Sequence, residues 1–322
     1  MHLSDIKQIE KFQTADNHGH KLLLLTDESQ FSLKLTRFAE ELTKLAPRIK
    51  IKKETTGIGE YPGIRMGSAL DCHFIPTGSK LNGLLDTLAF WGRLKDSPEI
   101  EASDLFSNLE LPAEIRLYVA EGCPHCPHVF SQLIKLPLLN SQIHLAVFDP
   151  TIFSKVAQKD NIRAVPTIIL DRNFRWTGPL DLNELAQVIN TRDPQILSAG
   201  SLEMLLKDGN AQTLVEMFQK SGKIYPAFIE LLTHPLWSTR LGAMVVMETL
   251  IESEPDLAAQ IQSSIWKKFD SVENSVKGDL LYIIGELCLK DNVMRLMAVV
   301  DGDYSSEVKE AASEALAKMS EV

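Results

Sequence analysis

Three short pieces of sequence occur twice, in the same order, within the first two-thirds of the chain. Repetition in a fixed order indicates an internal duplication, and a duplicated chain is expected to fold as two similar units. The spacings between the pieces differ by several residues, so the two copies have diverged in their connecting loops. The aligned pairs are LLLLTDESQFS at 22–32 with RLYVAEGCPHC at 116–126, YPGI at 61–64 with VPTI at 165–168, and KLNGLL at 80–85 with DLNELA at 181–186.

Both copies alternate between strand and helix patterns. The short apolar runs KLLLLT at 21–26 and EIRLYVA at 114–120 predict buried strands. The stretch SLKLTRFAEELTKLA at 32–46 has apolar residues at the three- and four-residue spacing of an amphipathic helix. Alternating elements of this kind indicate the α/β class. The predicted boundaries are 1–110 for the first unit and 111–192 for the second.

The last third of the chain, residues 193–322, shows helix patterns without strand signals. Arg240, Lys277 and Lys309 each open a stretch of small and apolar residues, and they lie 37 and 32 positions apart. Paired helices that repeat at about this period are typical of an α-solenoid. The pattern resembles HEAT repeats, so we expect an all-α, HEAT-like solenoid domain that is reached through a connecting segment at 198–210.

The acidic charge of the chain is concentrated in this helical part. The whole sequence has a formal net charge of −10, and residues 193–322 carry 11 basic and 20 acidic side chains. Nucleic-acid binding needs a basic surface, so no nucleic-acid partner is expected. The acidic excess indicates a domain with partners of its own, although a purely solubilising surface is an open alternative.

The cysteine content and the N-terminus indicate the compartment. Four cysteines in 322 residues do not form a disulfide framework, and the hydrophobic share of 44% is sufficient for ordinary cores. The N-terminal MHLSDIKQIEKFQ has no apolar signal-peptide region, and no apolar run approaches the length of a membrane span. We therefore expect a cytoplasmic protein without membrane contact. In such a reducing compartment a CxxC is catalytic or metal-binding more often than structural.

The expected chemistry centres on CPHC at 123–126, which follows a predicted strand and opens a predicted helix. Unpaired N–H groups at a helix N-terminus favour negative charge, so we expect a lowered pKa at Cys123, which makes it the nucleophile. Cys126, one turn into the helix, is expected to be the resolving thiol. Pro124 fits the first helical turn, and His125 adds positive charge or a hydrogen bond, so both are expected to tune the site.

A zinc half-site is the alternative interpretation of this cysteine pair. His125 and His128 lie close by, but a structural zinc site needs a second pair of ligands. Cys72 and His73 are the other adjacent pair, and they fall on a predicted strand of the first copy, so we expect no metal. An inert CxxC in a fold that has lost its activity is a further alternative. Cys72 and Cys288 are expected to be buried apolar residues.

The residues around the motif resemble the thioredoxin superfamily, with AEGCPHCP after a strand and AVPTIIL about forty residues on. The resemblance implies that Pro166 is cis and faces the CxxC, and that Val165 and Pro166 hold a substrate chain by strand addition. Thioredoxins also carry a buried aspartate on the strand before the CxxC, and Leu117 occupies that position here. A different proton acceptor, or slower resolution by Cys126, is therefore implied.

The duplication narrows the resemblance to proteins with two fused thioredoxin folds. The first copy carries SQFS at 29–32 in place of CPHC. A first fold without CxxC resembles the N-terminal domain of the alkyl hydroperoxide reductase flavoprotein subunit, and the protein disulfide oxidoreductases of thermophiles share the tandem arrangement. The former family carries electrons from a flavin enzyme to a peroxiredoxin, so a peroxiredoxin and an upstream reductase are implied as partners.

The sequence contains no Gly-rich dinucleotide-binding fingerprint. We therefore expect no cofactor besides a redox-active disulfide between Cys123 and Cys126, and electrons that another protein supplies. The resulting prediction is a thiol–disulfide oxidoreductase that exchanges disulfides with protein substrates. In this prediction the first fold lengthens the substrate groove, and the helical domain binds another protein.

Two alternatives stay open beside this prediction. One is a redox-sensitive or inert scaffold whose HEAT-like domain is the protein-binding module. The other is a dedicated electron relay to a peroxiredoxin. The direction of electron flow is also open, because the CPHC sequence is that of a strongly oxidising family member while the expected compartment is reducing.

Overall fold

A mixed sheet of eight strands forms the centre of the first of two compact units, which are Met1–Arg192 and Asp193–Val322. Every strand in the described part of the chain belongs to the first unit. The structure is a computed structural model, and it describes residues 1–96, 104–107, 109–207 and 209–320.

Strands and helices alternate in the first unit, as the patterning predicts. A helix also precedes the first strand, where the sequence patterns indicate none. We call β1–β4 the first half of the sheet and β5–β8 the second half. The strands are β1 (His20–Thr26), β2 (Ile49–Thr55), β3 (Gly63–Met66), β4 (Leu70–His73), β5 (Ala113–Tyr118), β6 (Ile143–Phe148), β7 (Thr167–Leu170) and β8 (Phe174–Thr177). The helices are α1 (Leu3–Ala15), α2 (Gln30–Leu45), α3 (Gly78–Asp96), α4 (Asp104–Ser107), α5 (Cys126–Leu133), α6 (Leu136–Leu139), α7 (Ser154–Lys159) and α8 (Leu182–Thr191).

The two halves of the sheet have the same strand order and the same strand directions. The sheet runs β2-β1-β3-β4-β6-β5-β7-β8. In each half a central strand, β1 or β5, has a parallel neighbour on one side and an antiparallel neighbour on the other. Strands β4 and β6 join the halves in parallel, with Cys72 opposite Val147. This repetition is the arrangement that an internal duplication predicts.

The halves differ in the connection between the two strands that flank the central strand, the parallel neighbour and the antiparallel neighbour. In the first half, residues 56–62 connect β2 to β3 without a helix. In the second half, residues 149–166 connect β6 to β7 and contain α7. Val156 and Ala157 of α7 pack with Tyr118 in a small hydrophobic cluster of the second half. The second half therefore has a helix over this connection, and the first half has none.

Helix α2 illustrates why these elements form where they do. The hydroxyl of Ser29 accepts a hydrogen bond from the N–H of Ser32, which is the arrangement of an N-cap, and the helix begins at the next residue. Leu35, Phe38 and Leu42 lie on one face of the helix at the predicted spacing, and all three are buried in the main hydrophobic core. This core packs the helices against the sheet and runs through both halves.

Helices make up all the regular structure among residues 193–207 and 209–320. The prediction that 198–210 is only a connection is wrong, because the segment contains a helix. Its Gly and Ser residues suggest a linker, but Leu202 and Leu205 are buried one turn apart and anchor the helix. The helices are α9 (Ala199–Lys207), α10 (Ala211–Ser221), α11 (Phe228–Leu232), α12 (Trp237–Ser253), α13 (Pro255–Ala258), α14 (Gln262–Phe269), α15 (Asn274–Leu287), α16 (Val293–Asp301) and α17 (Ser306–Ser320), with 3-10 turns at Pro194–Ile196, Ala259–Ile261 and Lys290–Asn292.

Side chains connect successive helices of the second unit. Arg240 of α12 is buried, and its Nε donates a 2.6 Å hydrogen bond to Asp279 of α15. The same guanidinium donates to the carbonyl oxygen of His234 at 2.8 Å. The hydroxyl of Tyr282 on α15 donates to Glu248 on α12 at 2.8 Å. The unit is therefore a packed helical array, whereas its assignment to HEAT-like repeats stays a prediction.

Helix length and polarity bear on membrane insertion. Across the helices that the structure describes, none combines the length and the apolar character that a membrane span requires.

Candidate redox site

A turn and a helix start place two cysteines just beyond the end of β5. Gly122 in the turn has a φ of +78°, a conformation that favours glycine, and α5 begins at Cys126. Cys126 is therefore the first residue of the helix, and the prediction that it lies one turn inside the helix is wrong. Pro127, and not Pro124, occupies the first turn, where the missing N–H of proline would have no helical partner in any case.

Cys123 and Cys126 are joined by a disulfide, with their Cα atoms 5.5 Å apart. The backbone N–H of Cys126 points at the Sγ of Cys123 at 3.1 Å, so this sulfur stands where a side-chain cap would stand. Cys123 is partly exposed, whereas Cys126 is only 4% exposed. An incoming thiolate therefore has access to Cys123 and not to Cys126.

The loop before β7 lies against this disulfide. The Val165–Pro166 peptide bond is cis, as the resemblance implies. The Sγ of Cys123 lies 3.5 Å from the carbonyl oxygen of Val165. The fold thus brings Cys123, Cys126, Val165 and Pro166 together, as predicted, although the two pairs are far apart in the chain. The roles of these residues in binding and catalysis stay predictions.

Pro124 and His125 form the exposed part of the turn between the cysteines. His125 directly precedes α5, and its side chain does not cap the helix. His128 is exposed on α5. Pro124 and His125 therefore lie at the outer rim of the site, beside the partly exposed sulfur.

The residues of the zinc interpretation are occupied in other contacts. Cys72 and His73 are buried in β4, where the ring of His73 stacks on Phe148 with centroids 4.4 Å apart. The Nδ1 of His73 lies 3.0 Å from the carbonyl oxygen of Pro62. Burial, with a smaller contribution from the charge of Asp71, raises the pKa of the Cys72 thiol. Within the described residues, no group of three or more metal-ligating side chains occurs.

The remaining cysteine, Cys288, departs from its prediction. It is a free thiol that is only partly buried. It ends α15 in the left-handed conformation, with φ of +47°, and its thiol donates to the carbonyl oxygen of Gly285 at 3.1 Å. A helix end leaves one side of the residue uncovered, which periodicity alone does not indicate.

A small cavity of about 70 Å³ lies beside the disulfide. Lys80 enters it from the start of α3, and its Nζ donates a 2.8 Å hydrogen bond to Asp149, which follows β6. Burial alone would raise the pKa of Asp149, but hydrogen bonds from Lys80 and Thr151 hold this pKa below its ordinary value. Leu117 is fully buried, so the strand position where thioredoxins carry an aspartate is apolar. The lining residues are Thr77, Gly78, Ser79, Lys80, Val119, Ala120, Glu121, Gly122, Cys123, Cys126, Pro127 and Phe130.

The sequence reasoning missed Lys80 and Asp149. They are 69 positions apart and belong to different halves of the sheet, so no local motif contains both. The signal that was available was weak. Lys80 opens the duplicated piece KLNGLL, and Asp149 ends the strand pattern IHLAVFD, at the sheet edge where functional residues of such folds collect.

The equivalent position of the first half carries a hydrogen-bonded network where the second half carries a disulfide. The carboxylate of Asp27 accepts hydrogen bonds from the hydroxyls of Ser29 and Ser32, at 2.5 and 2.6 Å. The backbone N–H of Asp27 donates to the hydroxyl of Ser32 at 2.9 Å. Phe31, from the same stretch, packs edge-on against Phe153 with ring centroids 5.1 Å apart. This network contains no thiol.

The site lies within a stretch that matches a known family. A sequence model of the Thioredoxin domain family matches residues 113–190. This stretch contains β5 to β8, the disulfide and the loop at Pro166. Residues 113–190 are therefore a thioredoxin-like domain. The matched stretch lies in the second half only, so the assignment of the first half as another thioredoxin fold stays a prediction.

A similar protein matches the chain over a longer stretch than the family model does. The F component of alkyl hydroperoxide reductase from Pseudomonas aeruginosa is 22% identical over 200 residues, which is 60% of this chain and 38% of the relative. The chain thus spans about two-fifths of the length of the curated relatives it matches.

Two solved structures share the fold of the first unit. The NTD_N/C domain of alkylhydroperoxide reductase AhpF from Enterococcus faecalis has a TM-score of 0.51 and 20% identity, over 59% of this chain and 99% of that chain. A protein disulfide oxidoreductase from Aeropyrum pernix has a TM-score of 0.52 and 12% identity, over 61% and 95%. At these identities the likeness concerns the fold alone.

Proposed function

We propose that the protein is a thiol–disulfide oxidoreductase that exchanges disulfides with protein substrates through Cys123 and Cys126. The observation that carries the proposal is a disulfide at a helix N-terminus between a partly exposed Cys123 and a buried Cys126. Such a disulfide has one sulfur that a partner thiolate attacks and one that leaves. The names of the similar proteins, an alkyl hydroperoxide reductase and a protein disulfide oxidoreductase, support redox chemistry in this domain.

The exchange begins when a substrate thiolate attacks the Sγ of Cys123. A new sulfur–sulfur bond forms between the substrate and Cys123, the Cys123–Cys126 bond breaks, and its electron pair stays on Cys126, which takes up a proton. A second substrate thiolate then attacks the substrate sulfur of the mixed disulfide, and Cys123 leaves as a thiolate. Two electrons have then passed to the CxxC, and the reverse sequence reduces a substrate disulfide.

The neighbours of Cys123 have defined tasks in this proposal. The helix N-terminus stabilises the Cys123 thiolate, since the N–H of Cys126 already points at this sulfur at 3.1 Å. Val165 and Pro166 hold an extended substrate segment by backbone pairing, because the Val165 carbonyl faces the same sulfur. His125, which carries a positive charge when protonated, adds to the stabilisation of the thiolate from the exposed rim.

The first half extends the substrate surface in this proposal. Phe31 contacts Phe153 of the second half, and the ring of Tyr61 lies 6.0 Å from the same ring. Tyr61 is 37% exposed, so part of this aromatic surface is accessible. An apolar segment on one side of the substrate cysteine fits such a surface, since aromatic rings bury a large area on contact.

A turnover assay with a disulfide-bonded protein such as insulin tests the proposal. With a dithiol as reductant, we expect the full chain to accelerate reduction, and we expect Cys123→Ser to fall to the buffer background. Cys288→Ser is the matched control, because it removes a free thiol outside the site and should keep wild-type turnover. The proposal is wrong if Cys123→Ser turns over like the wild type, or if the wild type turns over no disulfide substrate.

A dedicated electron relay is a second candidate. The observation that favours it is the similarity of the chain to the F component of alkyl hydroperoxide reductase, 22% identity over 200 residues. A relay would accept electrons from a separate reductase and deliver them to one peroxiredoxin. In cell extract, Cys126→Ser should trap mixed disulfides through Cys123. One dominant partner supports the relay, and many partners support a general oxidoreductase.

The helical unit is proposed to bind a further protein, since arrays of packed helices offer extended surfaces. Its acidic surface favours a basic partner. We also propose that the protein works in the cytoplasm without a cofactor other than its disulfide. An inert scaffold predicts that partner binding survives in Cys123→Ser and does not respond to reduction, whereas a redox-sensitive scaffold predicts binding that changes with reduction and loses this response in Cys123→Ser. Co-precipitation under reducing and oxidising conditions measures both.

A further inference from the structure

A buried ion pair from both halves of the sheet reaches the candidate redox site. The Nζ of Lys80 and the Oδ2 of Asp149 are 2.8 Å apart, and their side chains are only 10% and 6% exposed. Lysine and aspartate are rarely buried at this level unless they are paired. Lys80 lines the same small cavity as Cys123 and Cys126, so a buried cationic side chain borders the space beside the disulfide, where charges interact more strongly than in water.

The buried sulfur needs a counter-charge that the partly exposed sulfur does not. When the disulfide opens, the bond's electron pair stays on Cys126, which is 4% exposed. Burial disfavours a thiolate there, because the charge loses its hydration. A thiolate at Cys123 is stabilised by solvent and by the N–H of Cys126. Cys126 instead belongs to the buried core, where the strand before the motif contributes the apolar Leu117. A cation in the same cavity lowers the free energy of the buried thiolate.

We propose that Lys80, held in place by Asp149, stabilises the thiolate that Cys126 carries when the disulfide opens. This inference rests on the proposed thiol–disulfide exchange. Lys80 is a positioning residue in this role, since it acts on the charge state of Cys126. Helix α3, which follows the first half of the sheet, thereby supplies a charged side chain at a site where the strand β5 has the apolar Leu117. The negative charge of Asp149 partly offsets the effect of Lys80 on the sulfur.

The other charged groups around the cavity set the sign of the effect. Among the described residues that line it, Lys80 is the cation and Glu121 is the anion, and Glu121 is exposed and screened by water. Thr151 donates two hydrogen bonds to the Oδ1 of Asp149, at 2.6 and 3.0 Å, which orients the carboxylate toward Lys80. Burial lowers the pKa of His73 on β4, so this ring is neutral near neutral pH. Two further titratable groups belong to this region: Asp5 accepts a hydrogen bond from the N–H of Gly78, which lines the cavity, and His125 lies on the exposed turn.

Titration of a single thiol measures the effect directly. In a Cys123→Ser background that also carries Cys72→Ala and Cys288→Ser, Cys126 is the one thiol left of the four cysteines, and the ultraviolet absorbance of its thiolate reports its pKa. We expect Lys80→Met to raise this pKa by about one unit or more. In the otherwise wild-type chain, and at a pH above the pKa of Cys126 where its thiolate is the equilibrium form, we expect Lys80→Met to shift the equilibrium with glutathione toward the disulfide about tenfold, which makes the potential about 30 mV more negative.

Two further variants separate this role from a structural one. Lys80→Arg keeps the charge and should restore both values. Asp149→Asn removes the neutralising carboxylate, so it should shift the pKa of Cys126 in the opposite direction to Lys80→Met. An ion pair that only stabilises the fold predicts that both Lys80→Met and Asp149→Asn lower the free energy of unfolding while the pKa and the potential stay at wild-type values.

The inference is overturned if folded Lys80→Met has the wild-type pKa and potential. If Lys80→Met does not fold, a pKa in Asp149→Asn that equals or exceeds the wild-type value overturns it instead. The proposed function fails separately, when the wild type exchanges no disulfides. The pKa comparison can still be made in that case, so the two failures are distinguishable.

Discussion

The two halves of the sheet share strand order but carry different side chains after the central strand. After β1, Ser29 and Ser32 donate hydrogen bonds to Asp27. After β5, the equivalent positions carry Cys123 and Cys126, joined by a disulfide. The same backbone plan therefore accommodates a closed hydrogen-bonded network in one half and a candidate redox site in the other. The difference shows that the fold places a helix N-terminus, and the side chains decide its chemistry.

The halves are nevertheless interdependent. Helix α3 of the first half sends Lys80 into the cavity of the second half and packs Gly83 against Phe130 of α5. At the joint between the halves, Asp71 of β4 contacts His144 of β6 at 3.2 Å. The half without cysteines thus supports the half with them, which explains how a silent copy contributes to the site.

A substitution of Asp71, where β4 and β6 join the two halves, should give the largest effect, a loss of free energy of unfolding. Asp71 is buried and accepts hydrogen bonds from Arg65, at 2.6 and 3.1 Å, besides its contact with His144. Asp71→Asn leaves Arg65 without its bidentate partner and should lower the free energy of unfolding by about 3 kcal/mol. Urea unfolding at neutral pH measures this change. A loss below about 0.5 kcal/mol, the range of ordinary surface substitutions, would show that the joint carries little of the stability.

The same residue predicts a pH dependence. Burial alone would raise the pKa of Asp71, but hydrogen bonds from His144 and Arg65 hold it far below its ordinary value. Because the folded pKa is depressed, this stabilisation is present above about pH 4 and is lost as the pH falls. Asp71→Asn should therefore lose less stability than the wild type between neutral and acid pH. Equal losses in the two proteins would contradict the assignment.

Moving the cysteines tests why the first half is silent. Ser29→Cys with Ser32→Cys, in a chain that lacks both native site cysteines, should exchange disulfides about a hundredfold more slowly than the wild type, or about 2.7 kcal/mol. The reason is that Asp27 lies within hydrogen-bond distance of both positions and disfavours a thiolate. Adding Asp27→Asn should recover part of the rate. Turnover within tenfold of the wild type would contradict the electrostatic explanation.

The close approach of α3 and α5 predicts a packing effect. A Cβ at Gly83 would overlap the ring of Phe130, whereas a Cβ at Gly278 on α15 meets nothing within 4 Å. Both glycines are helical, so Gly278→Ala is the matched control for helix propensity. We expect the free energy of unfolding of Gly83→Ala to be about 2 kcal/mol lower than that of Gly278→Ala. Equal effects in thermal unfolding would show that α5 accommodates the added methyl group.

Loss of the N-cap of α2, at the position in the first half that is equivalent to the disulfide, should give the smallest loss of stability. Ser29→Ala removes the N-cap of α2 and should lower the free energy of unfolding by about 1 kcal/mol. Turnover at Cys123 should not change, since Ser29 lies in the other half. A loss of turnover without a loss of stability would mean that the silent site takes part in substrate binding.

Local patterns predicted the elements of the sheet well. Alternation and apolar runs indicated β1 and β5, and the resemblance carried by CPHC and the downstream VPT implied the cis Pro166 that the structure has. Each of these signals lies within a short stretch of sequence, so it can be recognised without knowledge of the whole fold. The exact helix start was not predictable in the same way, because Pro124 and Pro127 both suit a first turn.

Contacts between the halves were beyond such patterns. Lys80 and Asp149 form a pair only after β4 and β6 join, and no local motif contains both residues. In the second unit, residues 198–210 were predicted to be a connection, but Leu202 and Leu205 are buried and belong to a helix. Burial depends on the whole fold, which local spacing does not determine.

The identity of the reacting sulfur tests the central claim most directly. The Cys126→Ser variant is incubated with a peptide disulfide, and the mixed disulfide is located by peptide mass mapping under non-reducing conditions. We expect the peptide on Cys123, because this sulfur is partly exposed and faces the helix N-terminus. An adduct on Cys72 or Cys288 with none on Cys123, or no adduct in the folded protein, would contradict the proposed exchange.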